Sequence, residues 1–137
     1  MTVITNSELE TEAQGESLAQ TLTPGAVIAL TGGLGAGKTA FVRGLARGLG
    51  VTGRVTSPTF TIVNEYDGQI PLFHFDMYRI NDENELFEIG WDDYLDRGGV
   101  IAVEWSENIT ELLPKNSILV KIRKSGDFTR EIDIGQV

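Results

Sequence analysis

The apolar positions of this chain change their period twice before Gly50, and each change marks a new element. "SELE", Ser7 to Glu10, carries the hydroxyl and the carboxylate of a capping box at a helix start. Leu9, Ala13 and Leu22 suit a helix running to about Leu22 in spite of Gly15, and "TPG" then breaks it. "AVIALT", Ala26 to Thr31, is apolar without alternation, as expected of a strand covered on both faces. From Lys38 the period is helical again, with Phe41, Val42, Leu45 and Leu49 on one side and Gly50 as the stop. The order is strand, glycine-rich loop, helix.

In "RVTSPTFTIVNEYDGQIPLFHFDMYRI" two β-prone segments flank Asp67-Gly68, a dipeptide that favours the positive φ of a tight hairpin. Pro71 predicts an edge strand or an irregularity there. "NDENELFEIGWDDYLDRGG" reads as short helical turns, capped by Asp82 or Asn81 and broken at Gly90 and Gly98. "VIAVEW", Val100 to Trp105, is a second buried strand running into a carboxylate. Beyond Pro114, "SILVKIRK" and "TREIDI" flank Ser125-Gly126-Asp127 as a second hairpin. With no internal repeat or low-complexity linker, the pattern predicts one α/β domain over residues 1–137. Its central sheet is expected to be mixed and mostly parallel, flanked by helices and carrying hairpins.

Composition narrows the chemistry. The 137 residues are 41% hydrophobic and 23% charged, enough for one globular core. Apolar runs fall far short of the roughly 20 residues that span a bilayer, and "MTVITNSELETEA" lacks the features of a signal peptide. A cytoplasmic protein without membrane contact is expected. The absence of cysteine excludes disulfides, thiolate nucleophiles and zinc-cysteine sites. A Ser/His/Asp triad would hang on the only histidine, His74, which sits in an apolar strand and reads as a structural residue. A net charge of −9 opposes direct binding to nucleic acid. Arg43 and Arg47, one helical turn apart, read as solvated surface charge.

The loop between the first strand and its helix carries the chemistry. Gly32, Gly37, Lys38 and Thr39 complete G-x-x-x-x-G-K-[ST], the phosphate-binding P-loop, and predict a P-loop NTPase fold. Its glycines let backbone N–H groups converge on phosphate oxygens, and the helix opening at Lys38 adds its positive dipole end. Lys38 suits the β- and γ-phosphates, and the Thr39 hydroxyl suits Mg²⁺. A second strand should supply an acid for the metal or its waters. Glu104 follows four uninterrupted apolar residues and is assigned to the metal; Asp76, after a broken segment, is assigned to orienting the attacking water or organising a switch. Asp76 could instead cap a helix or pair with Arg79. In "TSPTFT", Ser57, Thr59 and Thr61 are candidate switch hydroxyls sensing the γ-phosphate, and equally ordinary strand or turn residues. Trp105, next to Glu104, reads as a packing residue that could also cover the metal acid.

Taken together, "GGLGAGKT", "SPTFTIVNEY", "HFDMYRI", "EIGWDDYL" and "AVEW" resemble the bacterial TsaE family, also known as YjeE or YdiB. That resemblance implies a small ATPase required for making threonylcarbamoyladenosine in tRNA, beside the anticodon. It implies ATP on Gly33, Leu34, Gly35, Ala36, Gly37, Lys38 and Thr39, and Mg²⁺ on Thr39 and Glu104. Asp76 is then needed for activity, with Glu8 and Arg130 enclosing the nucleotide on the side away from the metal. It also implies TsaB and TsaD partners, with tRNA reached only through their complex. Gly33 and Ala40 depart from the family, whose members often carry Asp or another polar residue and a second Thr there. A small-molecule kinase and a non-catalytic nucleotide-binding adaptor are the alternatives; a GTPase would need an N-K-x-D segment, which the chain lacks.

Overall fold

The computed structural model describes residues 1–58, 62–80 and 82–136. Along the chain run β1 (Thr2–Thr5), α1 (Glu8–Ala19), β2 (Val27–Thr31), α2 (Lys38–Gly48), β3 (Val63–Tyr66) and β4 (Leu72–Asp76). Next come α3 (Glu83–Ile89), α4 (Trp91–Asp96), β5 (Val100–Glu104), a 3₁₀ segment (Ser106–Leu112), β6 (Ile118–Lys124) and β7 (Arg130–Gln136). The strands form one sheet in the order β1-β7-β6-β2-β5-β4-β3. Its centre, β6-β2-β5-β4, is parallel, and antiparallel pairs extend both edges. The predicted mixed α/β sheet is therefore present, with its parallel part at the P-loop strand.

Two apolar layers cover the sheet. On one face Phe41, Val42 and Leu45 of α2, with Leu49 just after it, pack against Ile28, Leu30, Leu72, Val100 and Ala102. On the other, Leu86, Trp91 and Tyr94 pack against Phe73, Phe75, Ile101 and Val103. Adjacent strand residues thus serve opposite layers, as the period of a strand requires. Phe75 meets both Trp91 and Tyr94 edge-on, with ring centroids 5.2 and 5.1 Å apart. Tyr94 also donates to Glu65 (2.7 Å), whose other oxygen accepts from Arg97 (2.8 Å), so β3 is tied to α4.

The helix pair α1–α2 departs from the sequence reading. Ser7 does cap α1, accepting from Glu10 N–H at 3.1 Å. The helix ends at Ala19 rather than near Leu22, because the chain loosens into successive turns before Pro24. Leu9 points outward, 74% exposed. The buried side of α1 is Thr11, Gly15 and Ala19, small residues that admit α2 at close range. A Cβ on Gly15 would lie 2.1 Å from Phe41 O, and one on Gly44 would lie 1.7 Å from Glu12 O. Gly15 is therefore a packing requirement, not a weakness. Arg43 and Arg47 are not merely solvated: Arg43 pairs with Glu8 and Glu12, and Arg47 with Glu12 and Glu16.

Two turn readings also change. Gly68 does not adopt positive φ, and the β3–β4 connection spans residues 67–71 instead of a two-residue turn. Glycine is needed there for approach, since a Cβ would meet Leu49 O at 2.8 Å. Pro71 lies just before β4, which is an internal strand; the edge strand is β3. Asp82 caps α3 through Asn84 N–H at 2.6 Å, and Asn81 lies outside the described residues. The strand β1, unmarked in the sequence reading, joins the sheet beside β7.

The helix contact gives a stability prediction. Gly44→Ala must push α1 from α2 and should destabilise by about 3 kcal/mol or more. Gly53→Ala, with open space around its Cβ, should change stability by less than about 0.5 kcal/mol. Urea denaturation midpoints check the pair; equal midpoints would contradict the close-packing account.

Candidate functional site

The loop that follows β2 holds its shape through three glycines. Gly32 (φ 148°), Gly35 (φ 74°) and Gly37 (φ 107°) adopt backbone angles that side chains disfavour, and a Cβ on Gly32 would lie 2.5 Å from Ile122 O. Gly37 is the N-terminal cap of α2 without any side-chain partner. Its position leaves the first N–H groups of the helix facing the loop, an arrangement suited to an anion. Gly33 has neither constraint: its φ is not positive and nothing lies within 4 Å of a Cβ there.

Lys38 opens α2 and is buried, at 5% exposure. Its ammonium donates to the carbonyl of Gly32, approaches that of Gly33 (3.4 Å), and lies 3.7 Å from the centroid of the Trp105 ring. Burial holds its pKa below the ordinary lysine value of 10.5, opposed by the charges of Glu104, Glu107 and Asp76. Trp105 stands at φ 59°, and Tyr78 packs on it at 4.9 Å. A tryptophan in this left-handed conformation carries backbone strain of about 1–3 kcal/mol. Trp105 therefore covers Lys38 directly, whereas the sequence had suggested a cover for the neighbouring acid.

The acids arrive through strand register. In the parallel pairing of β2, β5 and β4, Leu30 is opposite Glu104 and Glu104 opposite Asp76. Glu104 is 4% exposed; its two oxygens accept from the Thr39 hydroxyl at 3.2 and 3.1 Å. His74 Nε2 lies 2.5 Å from Glu104 Oε2. Asp76 is equally buried and accepts from Tyr78 N–H at 2.9 Å. Beyond Glu104, Ser106 donates to Leu30 O (3.2 Å) and Asn108 to Met77 O (2.8 Å), pinning the 3₁₀ segment across the strand ends.

A cavity of about 590 Å³ opens over this floor, a size suited to a nucleotide-sized ligand. Gly33, Leu34, Gly35, Ala36, Gly37, Lys38, Thr39, Asp76, Glu104 and Trp105 all line it, together with Glu8, Ser57 and Arg130. Arg130 begins β7, on the opposite side of β2 from the two acids, and donates to Gly35 O at 3.2 Å. Glu8 is engaged with Arg43, which also lines the cavity. Thr59 and Thr61 lie outside the described residues. Ile62, just after them, has φ 70° and accepts from Asp76 N–H at 2.8 Å. The strained backbone of a β-branched residue thus joins the end of this segment to a candidate catalytic acid.

The sequence reading missed His74, Tyr78 and Phe128 as parts of this region. His74 stands two positions before Asp76, hence on the same strand face, and that spacing was the available signal. Phe128, 79% exposed, reaches the cavity from the β6–β7 turn; Ser125-Gly126-Asp127 marks that turn in the sequence but not its approach to the P-loop.

A family model described as "Threonylcarbamoyl adenosine biosynthesis protein TsaE" matches residues 5–132. The chain belongs to the TsaE family. It is 48% identical to the tRNA threonylcarbamoyladenosine biosynthesis protein TsaE of Bacillus subtilis over 124 residues, covering 90% of this chain and 77% of that one. The TsaE protein of Treponema pallidum is 37% identical over 134 residues, covering 98% and 99%. The crystal structure of Bacillus subtilis YdiB superposes with a TM-score of 0.85 at 40% identity, covering all of this chain and 85% of that one.

Within this TsaE-family cleft the donor set can be tested against a metal. No cluster of three or more His, Cys, Asp or Glu side chains able to hold an ion occurs among the described residues. Mg²⁺ does not require one, since it commonly takes one or two protein oxygens and completes its shell with phosphates and water. Thr39 and Glu104, hard oxygen donors in contact at the P-loop, fit that pattern.

The buried lysine yields a pH prediction. Phosphates beside Lys38 would stabilise its ammonium and raise the pKa again, so the protonated protein binds a nucleoside triphosphate better. Affinity is full below the lowered pKa of the free protein and falls as pH rises through it, before 10.5 is reached. Titration with a fluorescent nucleotide between about pH 7 and 10 reads this out. Constant affinity across that range would contradict it.

Proposed function

We propose that this protein is a Mg²⁺-dependent ATPase serving threonylcarbamoyladenosine modification of tRNA, acting in the cytoplasm as one P-loop unit. It drives cycling of a TsaB–TsaD complex, and tRNA meets that complex rather than this acidic chain. The observation that carries the reading is the convergence of a P-loop lysine, the Thr39–Glu104 pair and Asp76 on one cavity. Membership of a family described by threonylcarbamoyladenosine biosynthesis supplies the pathway, and favours neither a small-molecule kinase nor an adaptor without turnover. No helix among the described residues is long and apolar enough to cross a membrane.

The mechanism follows from the cleft. The loop N–H groups and the α2 N-terminus receive the phosphates, and Lys38 leaves the Gly32 carbonyl and the Trp105 ring for the β- and γ-oxygens. Mg²⁺, when bound, neutralises charge on those oxygens, and Thr39 and Glu104 are the residues to hold it or its waters. Asp76, one strand further from the P-loop, orients the water that attacks the γ-phosphorus as ADP departs. Arg130 and Glu8 close the side toward β7 and α1. Ser57 lines the cavity and is the hydroxyl there to sense a γ-phosphate.

Three variants separate these roles. Lys38→Ala should abolish ATP turnover while the chain still folds, as its far-ultraviolet circular dichroism would show. Glu104→Ala should weaken Mg²⁺-dependent ATP binding about tenfold or more, whereas Asp76→Ala should keep binding and lose about 100-fold in kcat. Equal loss of binding in both acid variants would refute the division of labour. Phosphate release measured alone, then with TsaB, TsaD and tRNA, tests the whole proposal: stimulation supports it, and binding without turnover in every mixture contradicts it.

A further inference from the structure

His74 has no task in the mechanism above, yet it is fully buried, and its Nε2 lies 2.5 Å from Glu104 Oε2. It shares a strand face with Leu72, and beside it in register stands Ala102, both in the layer covered by α2. The imidazole therefore belongs to the P-loop side of the sheet. A carboxylate only accepts, so Nε2 is the donor in this contact. The other ring nitrogen, Nδ1, finds no hydrogen-bond partner among the described residues. An unpartnered nitrogen in an apolar core carries a penalty that a leucine or phenylalanine would avoid. Filling the core is thus no reason for a histidine here.

What the ring supplies is a second hold on Glu104. Among the described residues the carboxylate has two donors, the Thr39 hydroxyl and His74 Nε2–H. Thr39 is itself an expected metal ligand, and a hydroxyl turned toward Mg²⁺ no longer restrains the acid. His74, on the neighbouring strand, remains. We infer that His74 is a positioning residue: its Nε2–H fixes Oε2 of Glu104 and so holds the carboxylate toward the metal shell at Thr39. The inference rests on the Mg²⁺–ATP reading, and such outer partners typically change metal affinity or activity by about 10–100-fold.

The test uses His74→Gln, whose amide nitrogen reaches the place of Nε2, His74→Asn, whose amide stops short of it, and His74→Leu. The readouts are the Mg²⁺ concentration that gives half of the tightening of a fluorescent ATP analogue, and the affinity for that analogue in EDTA. Parent and Gln variant should share one Mg²⁺ requirement. The Asn and Leu variants should need about tenfold more, with EDTA affinity unchanged. Should the Leu variant fail to fold, the Gln and Asn pair still decides. Equal Mg²⁺ requirements throughout, or equal loss in Gln and Asn, overturn the inference.

A second readout needs no metal. His74 is the only histidine, so nitrogen-15 histidine labelling gives one ring to observe. The free protein should carry its proton on Nε2, and a proton on Nδ1 alone overturns the inference. A parent protein whose ATP binding ignores Mg²⁺ would bring down the Mg²⁺–ATP reading instead, while the ring signals still report whether His74 donates to Glu104.

Discussion

Everything in the cleft depends on one row across the parallel sheet: Leu30 of β2, Glu104 of β5 and Asp76 of β4 stand side by side. Register is strict in a sheet buried on both faces, because a one-residue slip would exchange the two layers. Glu104 would then face the side of Trp91 and Tyr94, and Phe75 would be driven toward α2. Correct packing of the two apolar layers and correct aim of the acids are thus the same condition. This lets three ionisable groups, Lys38, Asp76 and Glu104, stand together at 5% exposure or less. Their opposite charges offset part of the cost of leaving water, and hydrogen bonds from Thr39, His74 and Tyr78 N–H meet the carboxylates.

The P-loop is held from two directions. Behind it, α2 is seated against α1 at contacts where Gly15 and Gly44 leave no room for a side chain, so the helix start at Gly37 cannot drift. Beside it, β6 and β7 bring Ile122 O against Gly32 and Arg130 against Gly35. On the far side Trp105 closes over Lys38. Without a phosphate the lysine is satisfied by loop carbonyls and an aromatic face, contacts that phosphate oxygens are well suited to replace. The strained angles at Trp105 and Ile62 lie at the two ends of this region, next to Glu104 and bonded to Asp76 N–H respectively.

Features carried by neighbouring residues could be read in the sequence. The P-loop, the Ser7 cap, the α2 face and the buried strand leading to Glu104 are all local patterns, and each recurs in the structure. Contacts between distant segments could not be read so well. Gly15 looked like a flaw because its reason, Phe41 O, lies in another helix. Gly68 looked like a tight-turn residue because its true neighbour, Leu49 O, is remote in sequence. His74 looked structural because an apolar strand hides which carboxylate a buried ring will meet. β1 has too little periodicity to announce itself, and only its pairing with β7 makes it a strand.

The central claim is that phosphates displace Lys38 from its resting contacts at a metal site built by Thr39 and Glu104. A crystal structure with Mg²⁺ and a non-hydrolysable ATP analogue tests it most directly. The account predicts the triphosphate along residues 33–39, Lys38 Nζ on its β- and γ-oxygens and away from Trp105, and the metal at about 2.1 Å from the Thr39 hydroxyl. Nucleotide bound elsewhere, or Lys38 still on the Gly32 carbonyl and the Trp105 ring with the analogue in place, would contradict it.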